Sequence, residues 1–401
     1  MSFGRDKRNV LVLSICQALF NSGRGLMFLA ATLVGANMLG ENLIFVTAPI
    51  TIMLVGTASG TLPAAHLMRL FGRKVGFVIG SVIGAGGCWI CYTSLPDNNF
   101  LLFNVGMFFY GIYSGFSQQY RFAVADAAPD NFKAKAISLV LAASVVGAVV
   151  GPETAKVTRN LFVDVEFAGS MLALIGLCLA TGLIVTFIDI PKLSREEYAD
   201  KGRPLLDIVA QPTFIVAFIA AAIGYVAMNI LMTATPLSMR LGSNFNFNDT
   251  ALVIEWHIIG MFAPGFFTGH LITRFGHIKV IFAGGLLLLL AVATALNGIT
   301  LTHFWVAMFL VGAGWNFTFT GGTALLTGVY TPSERNKVQG IYDFTVFSFM
   351  ALSSLSSGAI FHFLGWKWVN LSALPMVAIL LTATIWLAWI RRAAPQTAPV
   401  G

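Results

Sequence analysis

Four residues of this chain have the types and the spacing to hold a soft metal ion. Met228 and Met232 stand four apart, and so do His257 and Met261. On a helix that spacing points both members of a pair the same way. Thioethers with an imidazole form a neutral, soft ligand set, suited to Cu(I) and poorly suited to hard cations. Both pairs fall in apolar stretches that predict consecutive membrane spans, the seventh and the eighth. At about 1.5 Å per residue, Met228 lies roughly 9 Å and Met232 roughly 3 Å from the outer end of the seventh span. The same rise places His257 roughly 10 Å and Met261 roughly 16 Å below that surface on the eighth. The expectation is a ligand ladder leading from outside towards the midplane. Copper would be the transported substrate, probed by few enough ligands to be released again, and no cofactor would be permanently bound.

Other polar residues sit at membrane depth. Arg24, within Asn21-Ser22-Gly23-Arg24-Gly25, lies near the middle of the first span. It could bind an anionic substrate or bond to neighbouring helices. With an aromatic-lined cavity drawn from 34 Phe residues, Arg24 supports an alternative, transport of a small organic molecule or anion. Glu153 and Glu255 are candidates for carrying coupling protons. Glu255 is two residues from His257, so it projects about 160° away on a helix and is not a co-ligand. Arg121 and Asp126, at the inner end of the fourth span, suggest an ion network, and Asp343 suggests a gate or a cap. Cys88-Trp89-Ile90-Cys91 has redox or metal spacing, but at i,i+3 in a lipid-facing helix packing explains it better.

The elements that must position these residues are transmembrane helices. Of 401 residues, 57% are hydrophobic and 10% charged, against about 25% charged in a soluble domain. Apolar runs of about 20 residues, the length that crosses the hydrocarbon as helix, begin near Val10, Leu43, Val75, Leu101, Ala134, Ala168, Thr213, Thr250, Ile278, His303, Val338 and Trp368. The prediction is an all-α polytopic membrane protein of twelve transmembrane helices. Eighteen Lys and Arg residues fall on one side of that topology and four on the other, with Arg24 and Arg121 inside spans. The richer side is expected to be cytoplasmic, with both termini there. Topology thus accounts for the net charge of +7, and nucleic acid is not an expected partner. The lipid bilayer is. No nucleophile constellation or phosphate loop is present, so the chain is not read as an enzyme.

The polar stretch after Pro191 divides the chain into two six-helix halves, 1–190 and 210–401, joined by a cytoplasmic linker, 191–209. The halves echo each other. Met68-Arg69-Leu70-Phe71-Gly72-Arg73-Lys74 follows the second span and Ile272-Thr273-Arg274-Phe275-Gly276-His277 the eighth, with Gly72 and Gly276 204 residues apart. A duplicated transporter fold is implied.

The basic Gly turns, with Gly147-Ala148-Val149-Val150-Gly151-Pro152 in the fifth span, resemble the loop signature and the Gly-Pro motif of the major facilitator superfamily. The resemblance implies two pseudo-symmetric halves and conformational gates around Gly72, Arg73, Lys74, Gly276, Arg121, Asp126, Gly151 and Pro152. The chain departs from the family at the acidic residue usual in the first loop, where Arg69 and Thr273 stand. The Met-x-x-x-Met and His-x-x-x-Met pairs resemble the CcoA-like branch of that superfamily, bacterial copper importers. That likeness implies copper import across the bacterial inner membrane, towards haem-copper cytochrome oxidase biogenesis and a cytoplasmic copper acceptor. It also implies a ligand role for Met228, Met232, His257 and Met261.

Overall fold

The computed structural model describes residues 2–39, 48–190 and 202–393, and every regular element among them is helical. Hydrocarbon offers the backbone no hydrogen bonds, so a spanning segment must satisfy its own, which a helix does. The first six spans are Ser2–Leu39, Ala48–Phe71, Arg73–Ser94, Phe100–Ala127, Lys133–Thr158 and Ala168–Phe187. The last six are Pro212–Leu237, Leu252–Phe275, His277–Asn297, Leu301–Leu326, Arg335–Phe361 and Phe363–Arg392. Eleven of these hold an apolar stretch long enough to cross a membrane. The tenth, Leu301–Leu326, carries no charged residue but buries Trp315, Asn316, Thr318 and Thr320. The predicted start of the second span, Leu43, lies outside the described residues, as does most of the predicted linker. The described end of that linker carries a short helix, Leu205–Val209.

Local sequence explains where the spans start, stop and break. Asn99 caps the fourth by accepting a bond from the Leu102 amide at 3.0 Å, and Asn246 caps the helix Phe247–Phe262 through the Asp249 amide. Such caps satisfy amides that have no carbonyl one turn earlier. Pro264 interrupts the eighth span between Phe247–Phe262 and Gly265–Phe275. Gly365, at φ +80°, separates the eleventh from the twelfth.

The sharpest turns are the two basic ones. Gly72 has φ 88° and ψ 163°, and Gly276 has φ 86° and ψ 159°. Positive φ with extended ψ is a conformation essentially confined to glycine, so glycine lets each helix reverse within one residue. The repeat extends into packing. The second span packs on the fourth through Gly56, Gly60, Gly111 and Gly115, where an added Cβ at Gly60 would sit 2.7 Å from the Ile112 carbonyl. In the second half the eighth packs on the tenth through Gly260 and Gly312. Gly260 stands 204 residues after Gly56, the same offset as the turns. Small residues let backbones approach where lipid supplies no hydrophobic drive between helices.

One face of the bundle gathers the chain ends. Asn9 and Asp189 exchange two hydrogen bonds of 2.9 and 2.8 Å, Arg8 lies 3.2 Å from Asp189, and Arg391 donates to Thr213 at 3.3 Å. On this terminal face the halves meet. Gly340 of the eleventh span packs on Ala65 of the second. Ser138 of the fifth span donates to the Gly265 carbonyl of the eighth and accepts from the Gly269 amide at 2.9 Å.

Candidate functional site

Two groupings of polar and aromatic side chains join the halves. The deeper one is built on Tyr225 of the seventh span. Its ring meets Trp315, Phe319 and Phe347 edge-on, with centroids 5.2, 4.8 and 5.3 Å away. Trp315 and Phe319, four apart on the tenth span, stack on one another at 5.0 Å and 15°. Phe262 of the eighth closes on Trp315 at 5.6 Å. The i,i+4 spacing of Trp315 and Phe319 puts both rings on one helix face, and burial makes the cluster a rigid wall. Trp315 Nε1 has no hydrogen-bond partner among the described residues.

Arg24 of the first span reaches this wall from the other half. It is half-buried, its guanidinium lies 5.5 Å from the Phe28 ring, and its side chain lies close to that of Tyr225. Among the described residues no carboxylate pairs with it. A planar guanidinium against aromatic faces offers donors in one plane and a surface for stacking. A flat, carbonyl-bearing aromatic molecule matches both.

The second grouping lies at the terminal face. Arg73, held by the Gly72 turn, donates to Asp126 from Nε and Nη2 at 3.2 and 2.7 Å, to Gln119 at 3.0 Å, and to Gln339. Gln119 passes the contact on, donating to Asp343 at 3.0 Å. Arg121 pairs with Asp343, donates twice to Gln118, and lies between the rings of Phe122 and Phe319 at 4.6 and 4.5 Å. Arg335 stands 3.6 Å from Asp126. Arg121 and Asp343 are 1% and 0% exposed. Phe319 belongs to both groupings, so the aromatic wall and the ion network share a side chain. A cavity beside the network is lined by Asp126, Lys133, Tyr330 and Arg335.

Outside the membrane, Arg203 at the end of the linker clamps Glu334. Its backbone amide, Nε and Nη2 all donate to that carboxylate at 2.7 to 2.9 Å. The Arg203 bond, with the Thr331 amide, holds the Glu334 carboxyl well below the usual carboxylate range.

The expected metal ladder is arranged differently from its prediction. The seventh and eighth spans each pack against the tenth, which stands between them. His257 is fully buried, and its Nδ1 bonds to the Met308 carbonyl of the tenth span at 2.8 Å, leaving Nε2 without a partner among the described residues. Met232 packs in a small cluster with Met239, Val253, Phe304 and Met308, and Thr235 donates to Met308 Sδ at 3.1 Å. Met228 and Met261 belong to the main core, 2% and 9% exposed. Met308, which touches both spans, carried no spacing signal in the sequence.

The remaining candidates scatter. Glu153 is exposed and pairs with Lys156 at 2.6 Å, and Glu255 is exposed beside Trp256. Gly151 packs on the first span near the Leu26 amide; Pro152 continues the same helix. Lys74 is exposed while Arg73 is buried. Cys88 and Cys91 are buried free thiols, Cys91 bonding to the Phe103 carbonyl at 3.5 Å. Sequence reasoning had Arg24, Arg121 and Asp126 in hand but missed Tyr225, Trp315, Phe319, Gln119 and Gln339. Only the Trp315–Phe319 spacing could have hinted at them.

Two six-helix halves, glycine-turned at matching places and locked on one face around a buried site, define a secondary-active membrane transporter. Sequence comparison agrees. The chain belongs to the Major Facilitator Superfamily, matching it over residues 13–263 and again over 217–400. It is therefore a transporter and not an enzyme. Among curated relatives, the riboflavin transporter RfnT of Brucella anthropi is 39% identical over 94% of this chain and 95% of its own length. The MFS-type transporter YdeG of Bacillus subtilis is 28% identical over 88% of this chain and 85% of its own. Solved structures show the same fold. FucP in the outward conformation aligns over 94% of this chain and 98% of its own with a TM-score of 0.75 at 14% identity. The human organic anion transporter MFSD10 aligns over 94% and 99% with a TM-score of 0.74 at 13% identity. At such identities the likeness is one of fold alone. None of these relatives is named as a copper importer, so the resemblance to the CcoA-like branch finds no support among them.

Proposed function

We propose that this protein moves a small planar aromatic solute of the flavin class across the membrane by alternating access, in place of copper. The observation that carries the reading is Arg24, free of any carboxylate among the described residues, set against Tyr225 on the Trp315–Phe319 wall. A flavin ring can stack on such a surface while its ring carbonyls accept from a guanidinium. The relative RfnT, whose name states riboflavin transport, supports the same choice. We further propose that the halves are 1–190 and 210–401, that the terminal face is cytoplasmic, as the Lys and Arg asymmetry favours, and that the membrane is the bacterial inner membrane. Import is the proposed direction.

The test is uptake of radiolabelled riboflavin by a riboflavin-requiring bacterium expressing the wild type, Arg24→Ala or His257→Ala at matched membrane levels. Uptake above the empty vector that falls at least about tenfold in Arg24→Ala, the scale of one lost charged hydrogen bond, supports the reading. Equal uptake with and without the protein overturns it.

One observation keeps a second reading open to test. His257 presents a buried Nε2 without a partner among the described residues, its ring fixed by the bond from Nδ1 to Met308. A ligating imidazole is commonly held by its other nitrogen in that way. Radioactive copper uptake in the same cells separates the readings. Copper accumulation lost in His257→Ala and kept in Arg24→Ala would restore copper as the substrate, with Met228, Met232 and Met261 as the ligands to examine next.

A further inference from the structure

The two acids of the terminal-face network differ in where their partners sit. Asp126, on the fourth span, is paired with Arg73 of the third, in its own half. Arg335 of the other half adds only a longer contact of 3.6 Å. Asp343, on the eleventh span, takes its bonds from Arg121 and Gln119, both of the fourth span and both across the interface. No hydrogen bond to Asp343 from its own half occurs among the described residues. Alternating access requires the halves to part on the terminal face when the other side closes. Parting leaves the Asp126–Arg73 pair whole. Arg121 keeps two bonds to Gln118 and the face of Phe122 in its own half. Only Asp343 loses every partner, on a helix face it shares with Phe347 and next to Tyr342.

We propose that Asp343 is the proton-binding group of the transport cycle. Ionised, it locks the terminal face through Arg121 and Gln119. When a proton adds to the carboxylate, the acid becomes neutral, the pair with Arg121 loses its charge attraction, and the halves separate without stranding a buried anion. Release of that proton on the terminal side resets the lock. The charged and titratable groups facing Asp343 are Arg121 of the fourth span, Arg73 of the third, Tyr225 of the seventh, and Tyr342 of its own helix. Asp126 and Arg335 stand one link further away through Arg73. With both acids ionised, three arginines oppose two carboxylates, so the site tolerates the anion and releases its lock on one proton.

The inference rests on the chain being an alternating-access transporter and is independent of its solute, so its test needs no solute. Spin labels at Val75→Cys and Lys279→Cys, exposed positions at the terminal ends of the third and ninth spans, report the separation of the halves. The background has its four native cysteines replaced by alanine and is reconstituted in lipid vesicles. In the parent protein the ratio of open to closed distances should rise as pH falls, by up to about tenfold per pH unit, the slope of one proton. Asp343→Asn should hold the open ratio at every pH, and Asp343→Glu, which keeps a titratable acid, should restore the slope. Arg121→Gln should move the titration to higher pH. A parent ratio that ignores pH, or a pH slope that persists in well-folded Asp343→Asn, overturns the proposal. The Glu variant guards against misfolding of the Asn variant. A parallel riboflavin flux assay tells the two proposals apart. A pH-driven opening without riboflavin flux sinks the flavin reading and leaves the proton site standing.

Discussion

The Gly72 and Gly276 turns have the same backbone and different chemistry. Their φ and ψ angles agree within 4°, and both join neighbouring spans at the terminal face. After Gly72 stands Arg73, buried and bonded to Asp126, Gln119 and Gln339. After Gly276 stands half-buried His277, for which no side-chain hydrogen bond or ion pair is found among the described residues. Duplication thus repeated the scaffold and specialised one copy. The first-half turn feeds an ion network that reaches the other half, whereas the second-half turn only reverses the chain. Function within one fold resides in side chains grafted onto it.

Breaking the network should hurt far more than altering its counterpart. Asp126→Ala leaves Arg73 a buried cation without its carboxylate, and removing one partner of a buried pair costs about 3–5 kcal/mol. Solute uptake should fall to near background, while His277→Ala should leave uptake within about twofold of wild type, as expected for a half-buried residue outside the network. Comparable losses from both would erase the contrast. The shared backbone gives the next effect. Gly72→Ala and Gly276→Ala each force a side chain into the positive-φ extended region that glycine alone commonly adopts, at about 1–3 kcal/mol. Thermal unfolding in detergent should show similar drops for the two, and Gly276→Ala should cost strain alone, since nothing lies within 4 Å of its added Cβ.

The smallest effect concerns the linker clamp. Because Arg203 depresses the Glu334 carboxyl, its stabilisation is fully present above the ordinary carboxylate value of about 4.3 and fades as pH falls towards the folded value. Arg203→Ala should therefore lower the unfolding temperature at pH 7, and the gap to wild type should narrow as pH drops below about 4.3. A gap that widens with acid would show that the clamp works by another route.

The fold was legible in the sequence because its signals are local. Apolar runs marked the spans, and starts such as Val75, Ala168, Thr213 and Ile278 fall within two residues of the helices observed. The repeat was legible because Gly72 and Gly276 need a conformation that few other residues accept. The site was only partly legible. Arg24 stood out, since a guanidinium at mid-membrane depth calls for a purpose. Arg121 and Asp343 are 222 positions apart, and no spacing rule couples them. How the two metal pairs sit relative to one another was not legible, for a related reason. Consecutive spans were taken to face each other, yet the tenth span packs between the seventh and the eighth, and His257 turned out to bond to Met308.

The most direct measurement is binding of riboflavin to the purified protein, followed by quenching of flavin fluorescence, in wild type, Arg24→Ala and Trp315→Leu. The account predicts saturable quenching by the wild type and an affinity at least about tenfold weaker in either variant, a loss of about 1.4 kcal/mol. Saturable binding that both variants keep unchanged would contradict the assignment of the aromatic wall and Arg24 as the solute site. Absence of any binding by folded wild type would contradict the flavin reading itself.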